Sequence, residues 1–296
     1  MRAAILVTGL ISLGLAGVVR ADNGFGLASV PPAAQSFRVG ALELTALHDA
    51  QFVVPNDGKV FGVGVGVAAV QDVLRAAGAP TDRITLSVNV VLVHTGGRIL
   101  LLDTGLGPNL HGGLLASLRF AGVAPGAVTD VLITHPHMDH IGGLLDAGGK
   151  LAFPKATIRM ASAAWTWFKG QAPPKFVGVI AGHVCTFEPG ARIAPGVPAI
   201  ALPGHTPGHV GYQIVSGHSR LLDIGDVAHS SIVSLAKPEW TVSFDNDANL
   251  ARATRLKTLG ALANDHELVF APHFPFPGVG HIVAEGDAFT WQAGPP

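Results

Sequence analysis

The feature that most constrains this 296-residue chain is a cluster of metal-ligand side chains that directly follows an apolar segment. Residues 128–134 predict a buried strand, and the next residues read HPHMDHIGG. Four side chains of ligand type fall within six positions: His135, His137, Asp139 and His140. In an extended segment, His135 and His137 point the same way because the side-chain period is two. Histidines scattered over a surface would not show this spacing around a carboxylate.

Three later segments each add one side chain of the same kind. His205 lies in LPGHTPGH, Asp226 ends LDIGD, and His273 ends FAPH. Imidazole and carboxylate together suit Zn²⁺ first, and Mn, Fe, Co or Ni also accept them. A carboxylate can bridge two cations, whereas an imidazole nitrogen cannot. A site for two divalent ions therefore needs a well-placed aspartate, and Asp226 is the candidate.

The rest of the chain alternates strand-like and helical runs, which predicts an α/β fold. No shift in composition marks a boundary, so we expect one domain over residues 37–292. The expected strands cover residues 42–47, 86–94, 99–102, 128–134, 157–160, 214–222 (interrupted at 216–219) and 267–270, and the expected helices cover 67–77, 114–121 and 248–263.

The N-terminal residues 1–21 are typical of a secretory signal peptide, with one cation, an apolar run and small residues before the expected cleavage point. An uncleaved anchor is the alternative. Residues 22–36 are expected to form a flexible leader. We therefore expect an exported protein, periplasmic or secreted, with no membrane attachment after cleavage.

Charge and cysteine content exclude several classes of function. Lys and Arg total 19 and Asp and Glu total 20, which argues against a nucleic-acid partner bound by bulk positive charge. The single cysteine, Cys185, excludes an intrachain disulfide and a thiolate-rich metal site. The expected partner is a small-molecule substrate.

Taken together, the HxHxDH run, GHTPGH, the GD pair and the last histidine resemble the metallo-β-lactamase superfamily over nearly all of residues 37–291. The resemblance implies a single-domain αβ/βα four-layer sandwich. It also implies His135, His137 and His205 on one metal, and Asp139, His140 and His273 on the other, with Asp226 between them. Asp103, in LDTG, is implied to support the metal loop from behind. His209 is interpreted as a loop-fixing hydrogen-bond residue.

A narrower resemblance lies in residues 152–156 and 271–282, which are similar to the methyl parathion hydrolase, or organophosphorus hydrolase, branch. Members of that branch hydrolyse organophosphate triesters and often lactones. The resemblance implies a dinuclear hydrolase in which a metal-bridging hydroxide cleaves neutral apolar esters, lactones or phosphotriesters. Asp139 could then pass a proton to the leaving group.

Three alternatives stay open. The acyl-homoserine-lactone lactonases keep the same seven ligands but place a tyrosine three residues after the bridging aspartate. That position is His229 here, which could hydrogen-bond a carbonyl oxygen or simply line the wall. A β-lactamase is the second alternative, although the related subclass lacks the bridging carboxylate. The third is a non-catalytic, metal-holding periplasmic binding protein.

Aromatic side chains near the ligands suggest an apolar leaving-group pocket, with core packing the alternative for at least half of them. Many relatives dimerise, so a homodimer is also expected. The pocket candidates are Trp165, Trp167, Phe168 and Phe274.

Overall fold

The β-branched and leucine-rich runs form two mixed sheets in the computed structural model, which describes residues 26–28 and 30–294. Within those residues the first sheet contains β1 (Gly26–Ala28), β2 (Ala33–Val39), β3 (Leu42–Pro55), β4 (Arg83–Thr95), β5 (Arg98–Leu102), β6 (Asp130–Leu132), β7 (Thr157–Ala161) and β8 (Val184–Phe187). The second contains β9 (Arg192–Ala194), β10 (Val197–Ala201), β11 (Val210–Ser216), β12 (Ser219–Asp223), β13 (Leu268–Phe270), β14 (Val279–Glu285) and β15 (Ala288–Ala293).

The helices lie mainly in the connections between strands. They are α1 (Val67–Ala76), α2 (Leu114–Phe120), α3 (Met138–Ile141), α4 (Ser162–Lys169), α5 (Pro174–Ile180), α6 (Val233–Ala236) and α7 (Ala248–Asp265). The longest, α7, begins after Asp247, whose side chain accepts a hydrogen bond from the Leu250 amide and so satisfies a free helix donor.

The two sheets pack face to face, and helices cover their outer faces. One continuous core joins first-sheet residues such as Leu92 and Leu101 to second-sheet residues such as Tyr212 and Ile214. A separate cluster packs α7, through Leu259 and neighbouring side chains, against the other face of the second sheet. This layering confirms the predicted α/β, four-layer sandwich in a single domain.

Most predicted elements are present, with shifted ends. The strand predicted at residues 128–134 is shorter, because only Asp130–Leu132 pair with both neighbours. The prediction of a flexible leader over residues 22–36 is wrong for its described part. There β1 and β2 both pair antiparallel with β3. The predicted signal peptide, residues 1–21, lies outside the described residues.

The topology gathers the predicted ligands at one edge of the sandwich. His135 follows β6, His205 follows β10, Asp226 follows β12 and His273 follows β13. The pairs β5–β6 and β12–β13 are parallel, so their carboxyl ends meet at the same edge. Within the described part of the chain, no helix is both long and apolar enough to cross a membrane.

Candidate metal centre

The first ligand loop leaves β6 in extended backbone and turns into α3 at His137, whose φ and ψ are −74° and 153°. Extended backbone keeps His135 and His137 on one side, and the single turn of α3 then carries Asp139 and His140. Two glycines close the loop after α3. A Cβ on Gly143 would collide with the Thr104 carbonyl, so only glycine lets the segment pack against the end of β5.

Three imidazole nitrogens converge in a first cluster with one carboxylate oxygen. His205 Nε2 lies 2.9 Å from His137 Nδ1 and 3.2 Å from His135 Nε2, and the last two are 3.1 Å apart. Asp226 Oδ2 lies 3.3 Å from His205 Nε2 and 3.6 Å from His135 Nε2. Nitrogens bound about 2.1 Å from a tetrahedral zinc ion lie about 3.4 Å apart, so this spacing fits a cation among them.

A second cluster shares the same aspartate. Asp226 Oδ1 lies 3.2 Å from both His140 Nε2 and His273 Nε2. Asp139 Oδ2 lies 3.4 Å from His273 Nε2 and 3.8 Å from His140 Nε2. The two oxygens of Asp226 therefore face different clusters, which is the arrangement that a bridging carboxylate requires.

The electrostatics of His135, His137 and Asp226 also fit divalent ions. Burial lowers the pKa of His135 and His137 well below the ordinary value, so both are neutral donors of a lone pair. Burial would raise the pKa of Asp226, but the nearby His273 and His140 outweigh it and hold that pKa well below its usual range. His140 Nε2 and Asp226 Oδ1 are buried without a hydrogen-bond partner among the described residues. Metal coordination would satisfy both atoms.

Hydrogen bonds from residues outside the two clusters orient the ligands. Asp103 accepts from the Thr134 amide and hydroxyl at 2.8 and 2.7 Å and from His140 Nδ1 at 2.8 Å, in the supporting position that the sequence suggested. His209 donates through Nδ1 to the Leu202 carbonyl and accepts through Nε2 from the Asp226 amide. These two hydrogen bonds connect the Leu202 segment to Asp226, and His209 lies outside both clusters.

His229 is buried beside the first cluster. Its Nε2 lies 3.2 Å from Asp226 Oδ2, and its ring centre lies 4.9 Å from that of His205. Burial lowers the pKa of His229, so the ring is neutral and carries one N–H. Neither of its ring nitrogens has a hydrogen-bond partner among the described residues.

The predicted aromatic pocket is wrong for Phe168 and Phe274. Phe168 and Phe274 are fully buried core residues, the latter packed edge-on against Trp291. Trp165 packs beside Phe168 with 6.0 Å between ring centres. Trp167 lies beside a ligand, with its ring centre 6.0 Å from that of His137.

Sequence patterns did not reveal three buried charged side chains near the site. Asp245 accepts from His205 Nδ1 and pairs with Arg255, and Asp49 accepts from the amides of Leu106 and Leu114. The sequence did contain one signal for Arg255. Arg255 lies four residues from Ala251 and from Leu259 in α7, so it occupies a core-facing helical position that an unpaired cation would avoid.

The family model of the metallo-beta-lactamase superfamily matches residues 83–273, which include all seven ligands of the two clusters. The chain belongs to the metallo-β-lactamase superfamily. The two clusters accordingly hold the ligand set of a dinuclear member, and their donors fit two divalent metal ions, with zinc the first candidate.

Several known proteins similar to this superfamily member are named as hydrolases or lactonases. A probable metallo-hydrolase of Mycobacterium tuberculosis is 28% identical over 180 residues, which are 48% of this chain and 57% of that protein. The chain thus spans less than two thirds of that curated relative. AidC, a dizinc quorum-quenching lactonase solved with its product N-hexanoyl-L-homoserine, has a TM-score of 0.84 and 27% identity, covering 89% of this chain and 98% of AidC. The hydrolase AbOPH, of the beta lactamase superfamily, has a TM-score of 0.81 and 26% identity, covering 89% and 98%.

Proposed function

We propose that this chain is a dinuclear metal-dependent hydrolase that cleaves neutral, apolar esters, lactones or organophosphate triesters. The observation that carries the proposal is the placement of Asp226, whose two oxygens contact different clusters. A single-ion site would not need a carboxylate in that position.

The residues of the site have different roles in the proposed reaction. When bound, two divalent cations lower the pKa of a coordinated water and polarise a carbonyl or phosphoryl oxygen. Asp139 is the partly exposed carboxylate of the centre, so it can receive a proton and pass it to a leaving group. His229, whose Nε2 lies 3.2 Å from Asp226 Oδ2, is placed to hydrogen-bond a substrate oxygen beside Asp226 through that nitrogen.

Aromatic side chains beside the first cluster support an apolar substrate. The ring of Trp167 contacts His137, and the ring centre of Phe244 lies 5.7 Å from that of His229. Aromatic side chains next to these histidines favour an aryl or acyl group over a charged one.

The choice between phosphotriester and lactone depends on two separate similarities. The strings at residues 152–156 and 271–282 support the organophosphorus hydrolase branch. Similarity to AidC supports an acyl-homoserine lactone as the second candidate substrate. Both substrates are neutral and undergo attack at a polarised oxygen-bearing centre, so one active site can accept either.

The deciding experiment combines metal analysis with a substrate panel. Purified protein is assayed for bound metal and for cleavage of a dialkyl aryl phosphotriester, an N-acyl homoserine lactone, an aryl ester and a β-lactam, with and without chelator. We expect about two ions per chain and chelator-sensitive cleavage of one or more of the first three. Cleavage of the β-lactam alone would overturn the substrate proposal. Two bound ions without any turnover would favour a metal-holding binding protein.

Export is a further part of the proposal, carried by the character of residues 1–21. N-terminal sequencing of protein from a bacterial host tests it, because a mature chain that begins near residue 22 is expected. Retention of Met1 would count against export. Size-exclusion chromatography of the same sample tests the proposed homodimer.

A further inference from the structure

His205 differs from the other histidines of the first cluster in what lies behind its ring. Its Nδ1 donates to Asp245 Oδ1 at 3.0 Å, whereas the Nδ1 of His135 faces the Thr134 hydroxyl at 3.1 Å. In the second cluster, His140 has the matching arrangement with Asp103 at 2.8 Å. Each cluster therefore contains one histidine supported by a buried carboxylate.

Asp245 is itself fixed by a buried arginine. Arg255 Nη2 donates to Asp245 Oδ2 at 2.8 Å, and the arginine side chain is 1% exposed. The remaining guanidinium donors bind backbone carbonyls, with Nε to Val227 at 2.8 Å and Nη1 to Pro238 and Trp240 at 3.1 and 3.2 Å. Arg255 therefore connects α7 with the residue that follows Asp226.

The consequence for His205 is a fixed ring and a fixed tautomer. A carboxylate that accepts from Nδ1–H leaves the lone pair on Nε2, and Nε2 is the atom that faces His135 and His137. Because Arg255 neutralises Asp245 and is held at four places, neither partner can rotate without leaving a buried charge unpaired.

We propose that the Asp245–Arg255 pair positions His205 for metal binding and sets the metal affinity of the first cluster, while Asp103 does so for the second. This inference rests on the proposed dinuclear centre. The two positions differ in charge, since Asp245 is paired with an arginine, whereas Asp103 is held by the neutral groups of Thr134. Neither Asp245 nor Arg255 is a ligand in this scheme; both act through His205.

Metal binding to the full-length chain tests the inference. Metal-free wild type, Asp245→Asn and Asp245→Ala are titrated with Zn²⁺ in a metal buffer, and bound zinc is measured at each free concentration. We expect two ions in wild type, with one binding step weakened about 10- to 100-fold in Asp245→Ala and less in Asp245→Asn, whose amide oxygen can still accept. Asp103→Asn should weaken the other step, and the double variant Asp103→Asn/Asp245→Asn should weaken both.

A merely structural role is separated by thermal unfolding with and without zinc. If Asp245 only stabilises the fold, Asp245→Asn lowers the Tm of the metal-free protein but leaves the rise on adding zinc unchanged. The proposal requires that rise to shrink. Asp72→Asn, at an exposed ion pair on α1, is the control and should change neither quantity.

Each failure has a distinct meaning. If Asp245→Asn binds both ions with wild-type affinity, the positioning role is wrong while the dinuclear centre stands. If wild type binds no zinc, the proposed function fails. Asp245→Asn is nearly isosteric, so it keeps the test decisive even where Asp245→Ala does not fold.

Discussion

Two aspartates near the end of β12 lie three residues apart in different electrostatic environments. The neighbouring histidines hold the pKa of Asp226 well below its usual range, whereas burial raises the pKa of Asp223 well above the ordinary value. Identical substitutions at the two positions therefore change different things.

We expect Asp226→Asn to lose at least one bound metal and to lower kcat/KM by about 100-fold or more, because the amide cannot bridge two cations. The matched control, Asp223→Asn, makes the same change at a carboxyl that belongs to neither cluster and should retain both metals. Metal content and kcat/KM, measured side by side, check this. Wild-type metal content in Asp226→Asn would remove the bridge from the mechanism.

Asp49 provides a pH-dependent test at a residue away from the ligands. Its carboxylate accepts from the Leu106 and Leu114 amides at 2.7 and 2.8 Å and so holds the loop that follows Asp103. Burial, only partly offset by those backbone hydrogen bonds, raises its pKa from 3.8 to about 6.

The sign of the pH effect follows from that raised pKa. Well below pH 4 the carboxyl is neutral in both the folded and the unfolded chain. Between about pH 4 and pH 6 the unfolded chain has released the proton while the folded chain still holds it, so the stability of folded wild type falls by about 2 kcal/mol between pH 4 and 7 and levels off above pH 6. Asp49→Asn should not show this loss. Urea unfolding of both metal-free proteins at pH 4, 5, 6 and 7 checks it, and a constant difference between them would contradict it.

At the scale of elements, the turn that follows β12 leaves no space for a side chain at Gly225. Gly225 has φ 47°, and a Cβ there would collide with His209 Nε2, the atom that accepts from the Asp226 amide. Glycine is therefore required for two reasons: a side chain would displace His209, and the backbone adopts a positive φ.

We expect Gly225→Ala to displace His209, weaken zinc binding and lower kcat/KM about tenfold or more. Gly217→Ala is the matched control, since Gly217 has φ 63° at the other end of β12 with open space around its Cβ position. Both variants carry backbone strain of about 1–2 kcal/mol, and only Gly225→Ala should alter metal affinity. Equal affinities in the two variants would show that strain alone accounts for the effect.

The ligands were predictable because each combines a chemically distinctive residue with a strand end. The supporting pair was not, because Asp245 and His205 are 40 residues apart and meet only in the folded chain. Phe274 misled for a related reason. It follows a ligand in sequence, but the chain turns at this point, with the Phe274 amide donating to the Ala271 carbonyl at 3.2 Å, and Phe274 faces the core beneath α7.

The early strands were missed because their side chains carry little pattern. In Ala33–Val39, small and polar residues precede Phe37 and Val39, so the alternation typical of a half-buried strand covers only the last three positions. Pairing with the long strand β3 supplies the order that local sequence does not.

At the scale of the whole molecule, the centre draws ligands from both sheets. His135, His137, Asp139 and His140 follow β6 of the first sheet, and His205, Asp226 and His273 follow strands of the second. Any ion bound there links the two sheets in addition to their shared core.

Metal removal should therefore destabilise the whole fold. At free zinc 1,000 times the Kd, each site stabilises the folded state by about 4 kcal/mol, which corresponds to a Tm rise of roughly 8–16 °C in a domain of this size. Calorimetry in chelator and in buffered zinc measures it. An unchanged Tm would show that both clusters fail to bind the ion.

The division of ligands between sheets has a consequence for a cleaved chain. The connection between β8 and β9 is exposed at Glu188, Pro189 and Gly190, and it separates the first four ligands from the last three. If the chain were divided into two polypeptides at this connection, each fragment would carry only some of the ligands of each cluster. Zinc bound by both fragments would then stabilise their complex, and their reassociation would serve as a split-protein sensor of free zinc.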